Sequence, residues 1–285
     1  MAEILKGAPV AAAISEELIV RVDALKAKGV VPTLAIMRVG ERPDDISYET
    51  GAMKRCDKVG IAVKNFRLPA DASREEILAT IKEINEDDSI HGCLMFRPLP
   101  DKKVEAEVCA LLDPAKDLDC MTSGSLATVF AGRGEGYPPC TAQACIEMLD
   151  HYGVETAGKR AVVVGRSLVI GRPVAMMLMN RNATVTICHT KTVDMASVAR
   201  EADIVIAAAG HIGTVTKDFA REGQVVLDVG INMGADGKLC GDVAFAEVEP
   251  VVAAISPVPA GVGSVTTAVL AKHCITAAEK KAGVL

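Results

Sequence analysis

The chain has 285 residues, which at roughly 150 residues per domain predicts about two domains, each large enough for its own core. Half of the residues are hydrophobic, yet only 3% are aromatic and none is Trp, which excludes a protein that works mainly by stacking nucleic-acid bases. With 31 basic and 37 acidic residues, the net charge of -6 repels phosphate backbones. Composition therefore excludes a disulfide-held miniprotein and argues against a nucleic-acid partner.

Nine Cys residues are scattered along the chain without a CxxC pair, so no metal site is expected. An odd number of dispersed Cys residues is typical of buried thiols in a reducing compartment, which predicts a cytoplasmic protein. The N-terminus lacks a signal-peptide core. The uncharged stretch 250–271 is long enough to cross a bilayer, but it contains three Pro and two Gly and is interpreted as a loop between buried elements. We therefore expect no membrane partner.

Short Val-, Ile- and Leu-rich runs alternate with longer amphipathic stretches, a rhythm typical of βαβ units around a mostly parallel sheet. In the first half of the chain, strands are predicted at 33–39, 61–68 and 90–96. The helices predicted between them are 47–59 and 73–86. Ser73 followed by Glu76 predicts a capping box at the start of the second of these helices.

A helix is predicted to follow Pro138 and Pro139 and to end near Tyr152, before Gly153. A second series of strands then begins, at 160–165, 184–188, 203–208 and 224–229. Because the strand and helix count restarts, the domain boundary is predicted near 139–144.

Gly165 and Gly171 flank a turn, GRSLVIG, between a buried strand and a helix. Glycines let a backbone approach a phosphate, and the start of the following helix supplies free N–H groups. The same glycines also fit a tight turn without a ligand. The next strand ends in His189, Thr190 and Lys191. An NAD site usually has an acidic residue at this position, which would bind the ribose hydroxyls. The hydroxyl and basic groups here, together with Arg166, favour the 2′-phosphate of NADP instead. Lys191 fits a solvated surface lysine equally well.

Several segments together resemble the methylenetetrahydrofolate dehydrogenase/cyclohydrolase family of the FolD type. In collinear order the chain has AKDLDC, PPCTAQA, GRSLVIGRP, CHTKT, DVGIN, GDV and PAGVGSVT, which match the family's motifs from about residue 6 to residue 270. The resemblance implies two α/β domains flanking a cleft. The first is a folate-binding catalytic domain (1–142 plus 265–285), and the second is a Rossmann-like parallel-sheet NAD(P)-binding domain (143–264).

The resemblance also implies oxidation of 5,10-methylenetetrahydrofolate to the 5,10-methenyl form, with hydride transfer to NADP or, alternatively, NAD. Bifunctional members then hydrolyse the methenyl product to 10-formyltetrahydrofolate, and the family is usually dimeric, so a homodimer is expected. The residues implied to bind the cofactor are Thr141, Gly165, Arg166, Ser167, Ile170, Gly171, His189, Thr190, Ala209, Gly210, Gly230 and Ile231.

On the folate side the resemblance implies roles for Tyr48, which would pack on the pterin, and for Asp119, whose carboxylate would bind the pterin's donor pair. Without the family context, Tyr48 fits core packing and Asp119 fits a turn or a helix cap. Cys120 replaces the family's Gly. Substrate contacts are also expected from the loop residues Gly261, Val262 and Gly263.

The proton-transfer part of the substrate site departs from the family pattern. In the family a catalytic Lys follows the Tyr by four residues and precedes a Gly by eight. Counted from Tyr48 and from Gly60, the residue at the position of this Lys is Ala52. The Gln that normally hydrogen-bonds this Lys is Phe96, and the following Leu is Arg97, which we also assign to the substrate site. Two partners of one hydrogen-bonding unit are therefore replaced together.

Hydride loss from the methylene carbon is assisted by the folate nitrogens and depends mainly on positioning, whereas hydrolysis needs an acid/base that typically contributes ~10²–10⁴-fold. The sequence thus predicts a dehydrogenase with weak or absent cyclohydrolase activity. One alternative is a bifunctional enzyme that uses a substitute catalytic residue such as Lys54. This requires a helix break at Gly51, because two residues turn a helix by ~200°. Another is a non-catalytic folate- or nucleotide-binding protein.

Overall fold

The computed structural model describes residues 1–285, which fold as two compact units. Unit 1 comprises Met1–Ala12 and Thr141–Thr266, and unit 2 comprises Ala13–Cys140 and Thr267–Leu285. The first twelve residues differ from the sequence-based assignment, which placed them in the folate domain. They belong to unit 1 because Glu3–Ile4 forms a strand that pairs in parallel with Ala254–Ile255. This pairing joins segments about 250 residues apart, which local patterns do not reveal.

The strands are, in chain order, β1 (Glu3–Ile4), β2 (Thr33–Val39), β3 (Ala62–Leu68), β4 (Gly92–Met95), β5 (Arg160–Val164), β6 (Thr184–Cys188), β7 (Ile204–Ala207), β8 (Val225–Asp228), β9 (Asn232–Met233), β10 (Leu239–Cys240) and β11 (Ala254–Ile255). The helices are α1 (Gly7–Ala27), α2 (Pro43–Val59), α3 (Arg74–Glu86), α4 (Lys102–Leu111), α5 (Ser123–Ala131), α6 (Cys140–His151), α7 (Gly171–Asn180), α8 (Met195–Arg200), α9 (Phe245–Val248) and α10 (Thr266–Lys281).

Unit 2 contains a three-stranded parallel sheet in the order β3-β2-β4. Strand β2 is buried along its whole length, as expected for a central parallel strand. The side chains of β2 and β4 pack with those of α3 and α4 in one apolar core. The predicted capping box is confirmed, since Ser73 and Glu76 cap each other at the start of α3. Helix α2 begins four residues before its predicted start, because Pro43 is favourable in a first helical turn.

Unit 1 contains a six-stranded parallel sheet in the order β1-β11-β8-β7-β5-β6. Its core is made mainly of Val, Ala and Ile side chains. Chain order reverses between β5 and β7, and in such sheets ligands bind beyond the carboxyl ends of the strands at the point of reversal. The predicted cofactor residues after β5, β6, β7 and β8 all follow strand ends at this edge.

The stretch 250–271 is not the loop that its Pro and Gly content predicts. It contains β11 and the first part of α10, which begins at Thr266. Strand β11 escaped prediction because it has only two residues and is defined by its neighbours β1 and β8. No helix in the structure has the length and apolar character needed to span a membrane.

Candidate functional site

The structure brings the rings of Tyr48 and Phe96 together in unit 2. Tyr48 is half-buried on α2, and Phe96 directly follows β4. Their ring centroids are 5.9 Å apart with an interplanar angle of 79°, an edge-to-face contact of the kind that aromatic pairs favour. Phe96 thus packs against the residue predicted to hold the pterin.

Ala52 lies one helical turn after Tyr48 and is only 1% exposed. Helix α2 continues through Gly51 without a break, so the condition for bringing Lys54 to the folate side is not met. Lys54 is exposed to solvent and lies ~200° around the helix from Ala52. The structure therefore places Lys54 on a different side of α2 from Tyr48 and Ala52.

Asp119 is partly exposed, and one of its carboxylate oxygens accepts the backbone N–H of Cys140 at 2.8 Å. Burial raises the pKa of the Asp119 carboxyl, and the Cys140 N–H opposes this effect. The next residue, Cys120, has a left-handed backbone with φ of 58°, which explains why a Gly is favourable at this position. Asp119 is thus anchored by one hydrogen bond and keeps further acceptor capacity.

Arg97 is half-buried beside Asp119 and the thiol of Cys109. Burial raises the pKa of both neighbouring groups, and the positive charge of Arg97 opposes this rise. The carbonyl of Arg97 accepts a hydrogen bond from Nη2 of Arg42 at 3.0 Å, and Arg42 also pairs with Asp45 on α2 through two 2.8 Å contacts. The Arg42 guanidinium, held by Asp45, therefore links the start of α2 by a hydrogen bond to the loop that carries Phe96 and Arg97.

Sequence reasoning missed a buried charge cluster next to Tyr48. Glu49 accepts from Nε of Arg38 on β2 at 2.8 Å and from Nε and Nη2 of Arg67 on β3 at 2.8 and 2.5 Å. Burial raises the pKa of the Glu49 carboxyl, but the hydrogen bonds from both guanidiniums outweigh it, and the net pKa is lowered. Ionised Glu49 thus ties α2 to the carboxyl ends of β2 and β3.

In unit 1, the two glycines of the turn between β5 and α7 allow backbone to pack on backbone. Gly165 has φ of 134°, and a Cβ there would lie 2.0 Å from the carbonyl oxygen of Ala208. A Cβ on Gly171 would lie 2.3 Å from the carbonyl oxygen of Gly165. The hydroxyl of Ser167 accepts the N–H groups of Ile170 at 3.1 Å and of Gly171 at 3.4 Å, which holds the turn that leads into α7.

The end of β6 and the turn after β5 present polar groups to solvent. Thr190, Lys191 and Arg166 are exposed, and His189 is half-buried. Nδ1 of His189 accepts the N–H of Lys191 at 3.1 Å, while the N–H of His189 donates to the hydroxyl of Thr192 at 2.9 Å. His189 therefore shapes the turn that presents Thr190 and Lys191.

Two carboxylates that sequence reasoning left without a role organise the loops after β7 and β8. Asp242 accepts the N–H groups of Gly210 at 2.8 Å and His211 at 2.9 Å, and the side-chain amide of Asn232 at 2.9 Å. Ala209, which precedes this pair, is exposed. Asp242 thus holds the predicted cofactor residue Gly210 in place.

Asp228 accepts the N–H groups of Gly230, Asp242 and Val243, each at 3.0 Å. Burial raises the pKa of its carboxyl to about 6 against the opposing effect of these three donors. A Cβ on Gly241 would lie 1.8 Å from the Asp228 carboxylate, so this approach requires Gly. The motifs DVGIN and GDV contain both carboxylates, and an Asp beside Gly at a strand end is the signal that would have marked them.

A cavity of about 230 Å³ lies between the Asp228–Ile231 turn and the loop 257–264 of the same unit. Gly261 and Gly263 line it, whereas Val262 is 1% exposed. Its side chain packs inside the unit and does not line the cavity.

Thr141 lies in the first turn of α6 and is half-buried. Its carbonyl accepts the thiol of Cys145 at 3.4 Å, and no hydrogen bond connects it to the other predicted cofactor residues. Thr141 therefore lies apart from the hydrogen-bonded loops described above.

Ala260 has a strained backbone in the loop 257–264, with φ of 78°. We predict that Ala260→Gly raises the free energy of unfolding by about 1 kcal/mol, because Gly adopts this conformation without a Cβ penalty and Ala260 is exposed. Ala13→Gly, the same change in an exposed turn of α1, should lower it by about 1 kcal/mol. Urea unfolding measures both, and an equal loss in the two variants would contradict the prediction.

The chain matches two family profiles that follow each other along the sequence. Residues 5–119 match the catalytic domain of tetrahydrofolate dehydrogenase/cyclohydrolase, and residues 139–282 match its NAD(P)-binding domain. This chain belongs to the tetrahydrofolate dehydrogenase/cyclohydrolase family. The second match extends beyond Thr266 into α10, whose later turns belong to unit 2 in this structure.

Individual members of the tetrahydrofolate dehydrogenase/cyclohydrolase family are similar over nearly the whole chain. The bifunctional protein FolD of Carboxydothermus hydrogenoformans is 52% identical over 281 residues, which cover 98% of each chain. The crystal structure of FolD from Campylobacter jejuni has 37% identity and a TM-score of 0.93, covering 98% of this chain and 99% of that one. FolD of Trypanosoma brucei, in complex with NADP and an inhibitor, has 34% identity and a TM-score of 0.92, covering 99% of this chain and 98% of that one.

Proposed function

We propose that this FolD-family chain oxidises 5,10-methylenetetrahydrofolate to the methenyl form with NADP and hydrolyses that product to 10-formyltetrahydrofolate. The observation that carries the proposal is the match to both family domains, together with bifunctional relatives such as the one 52% identical over 98% of the chain. The names of these relatives favour the bifunctional alternative over the dehydrogenase with weak hydrolysis that the sequence predicts.

Tyr48 and Asp119 support the folate part of the proposal. In it, the Tyr48 ring packs on the pterin, and the Asp119 carboxylate accepts hydrogen bonds from the pterin's neighbouring N–H donors. Arg97, which lies beside Asp119, would donate to an acceptor on the same substrate. As a guanidinium it stays protonated, so its role is binding and it cannot act as the base of hydrolysis.

The residues at the strand ends of unit 1 fit a dinucleotide. Close backbone packing at Gly165 and Gly171 and the start of α7 form a cradle in which a Cβ would collide with the backbone. When bound, the nicotinamide supplies the hydride acceptor. The chain's own contribution is to hold the dinucleotide with the turn 165–171, with Thr190 beside its ribose, and with the loops fixed by Asp228 and Asp242.

Cofactor choice tests the polar end of β6. We expect NADP to be preferred to NAD because Arg166 and Lys191 are exposed there and no carboxylate follows the strand. Lys191→Gln should raise the KM for NADP about tenfold, the effect of one charge-assisted hydrogen bond, and leave the KM for NAD nearly unchanged. Initial rates with each cofactor measure this, and equal changes in both KM values would refute the assignment of Lys191.

A second candidate function is a dehydrogenase that hydrolyses the methenyl product slowly. The observation that favours it is the pair Ala52 and Phe96: Ala52 is buried, Phe96 packs on Tyr48, and neither carries a group that can transfer a proton. The continuous helix that keeps Lys54 exposed removes one substitute for the missing base.

One assay on the purified chain decides between the two functions. Absorbance of the reduced nicotinamide measures oxidation of methylenetetrahydrofolate, and the loss of methenyltetrahydrofolate absorbance measures hydrolysis. Hydrolysis far above the spontaneous rate supports the bifunctional enzyme, and hydrolysis at the spontaneous rate supports the second candidate. Absence of oxidation with NADP and with NAD would refute both and leave the non-catalytic binding protein.

Assembly as a homodimer is part of the proposal. Met233 and Leu239 pair across the hairpin of β9 and β10, and both side chains are exposed. In the proposal this hairpin contributes to the contact between the two copies of the chain. Light scattering that gives twice the chain mass of 29.8 kDa would support the homodimer, and the mass of a single chain would refute it.

A further inference from the structure

A cavity of about 330 Å³ lies in unit 2, apart from the Tyr48 and Asp119 site. Its walls come from the loop after α3, the loop that precedes Lys116, the segment 135–137 and the last turns of α10. This volume is at the lower end of those of small-molecule sites, which are typically ~300–1,000 Å³. Neither the sequence motifs nor the proposed function assigns a role to it.

Two almost fully buried side chains offer hydrogen-bond donors to this cavity. Tyr137 is 5% exposed, and its hydroxyl has no partner in the protein. His91 is 8% exposed, and its Nδ1 accepts the backbone N–H of Thr33 at 3.1 Å. The imidazole proton is therefore on Nε2, which also has no protein partner. Neither atom is a buried polar atom without a partner, so both are open to solvent, and as lining residues of the cavity Tyr137 and His91 can donate to a bound ligand.

Most of the other polar groups around the cavity are already engaged. Nζ of Lys116 donates to the carbonyls of Ile84, Asn85 and Asp87. Lys281 pairs with Asp88 at 2.7 Å. The Lys116 ammonium thus satisfies carbonyls at the C-terminal end of α3, and the charge of Lys281 is paired. Few polar groups of the cavity are left free to bind a ligand.

Lys280 supplies an uncommitted positive charge. Its Nζ lies 5.0 Å from the centroid of the Tyr137 ring and forms no ion pair. On the acidic side, Asp113 accepts the N–H of Ala115, and Glu135 is an exposed residue at the edge. Among the lining residues, Tyr137, His91 and Lys280 thus supply the free donors, and the free carboxylate is that of the exposed Glu135.

We propose that this cavity binds a small molecule through an oxyanion, either a carboxylate or a phosphate. The Tyr137 hydroxyl and the His91 Nε2–H donate to the oxyanion, and Lys280 supplies the compensating charge. Glu135, at the edge, accepts from a hydroxyl or amine elsewhere on the ligand. The inference does not depend on the proposed folate chemistry, because none of these residues belongs to either half of that site.

The three Tyr residues of the chain make a direct test possible. Protein labelled with 3-fluorotyrosine gives three ¹⁹F resonances, assigned by Tyr→Phe variants, and is titrated with inorganic phosphate and separately with acetate. Saturating NADP blocks phosphate binding at the dinucleotide site. We expect the Tyr137 resonance to shift and saturate with at least one anion, while those of Tyr48 and Tyr152 stay in place. The anion that saturates at lower concentration distinguishes phosphate from carboxylate.

Variants at exposed lysines separate this site from general ion effects. Lys280→Gln should weaken binding about tenfold, as expected for a charge-assisted contact, and should leave oxidation unchanged. Lys217→Gln, which removes an exposed charge in unit 1, should leave the titration unchanged. A Tyr137 resonance that does not saturate with either anion, or that saturates equally in the Lys280→Gln protein, would overturn the proposal.

Discussion

For a chain that hydrolyses the methenyl product slowly, as in the second candidate function, the double substitution Ala52→Lys with Phe96→Gln is expected to raise the rate of methenyltetrahydrofolate hydrolysis by about 10²-fold. A positioned acid/base contributes ~10²–10⁴-fold, and the introduced amide oxygen would orient the introduced ammonium. Neither substitution alone should achieve this. Ala52 is buried, so Ala52→Lys alone places an ammonium there without its amide partner, and Phe96→Gln alone supplies no proton-transfer group. Stopped-flow absorbance of the methenyl substrate measures the rates.

Oxidation serves as the internal control for this double variant. It needs no protein base, so its kcat should change far less than that of hydrolysis. Lys54→Ala should leave hydrolysis unchanged, because Lys54 is exposed on the other side of α2. If Lys54→Ala abolished hydrolysis, or if the double variant hydrolysed no faster than the parent, our account of positions 52 and 96 would be wrong.

Asp119→Asn is expected to lower kcat/KM for both reactions by about 10²-fold, mainly through KM. Asn keeps an oxygen that accepts the Cys140 N–H. It loses the negative charge and the second oxygen that would accept from the pterin's pair of N–H donors, a loss worth about 1.5–3 kcal/mol. Initial rates at varied folate concentration measure the loss. Asp57→Asn, which changes an exposed carboxylate on α2, is the matched control and should have no effect.

The pH dependence of Asp119 separates binding from folding. Its folded pKa is raised, mainly by burial, so ionising it costs stability as the pH rises above the usual Asp value and through the raised pKa. At neutral pH, Asp119→Asn should therefore not lower the Tm, although it lowers kcat/KM. In the parent enzyme the folate KM should rise as the pH falls through the raised pKa. A Tm loss that accounts for the lost activity would contradict the binding role.

Much of the secondary structure is predictable because its signals are local. Strands β2 and β6 occupy their predicted ranges, and the capping box of α3 is visible in the spacing of Ser73 and Glu76. The parallel α/β class follows from the alternation of apolar runs and amphipathic stretches. The spacing from Tyr48 and from Gly60 also shows, without a structure, that Ala52 occupies the position at which the family pattern has a Lys.

Features that depend on partners far apart in the chain are not predictable in this way. Glu49 binds one Arg 11 residues before it and another 18 residues after it, and only the alignment of β2 and β3 brings these together. Strand β1 is assigned to unit 1 by pairing with β11 across almost the entire chain. Local sequence patterns carry no signal for either contact.

The two carboxylates that hold the strand-end loops, Asp228 and Asp242, bind mostly backbone N–H groups. Every residue except Pro carries such a donor, so these hydrogen bonds fix the loops without using the side chains of Ile231 and His211, while Gly230 and Gly241 must stay Gly. Ile231, exposed beside Gly230, and His211 can therefore be exchanged while the scaffold stays the same. For protein engineering, these positions form a surface on which cofactor or substrate preference can be varied with little risk to folding.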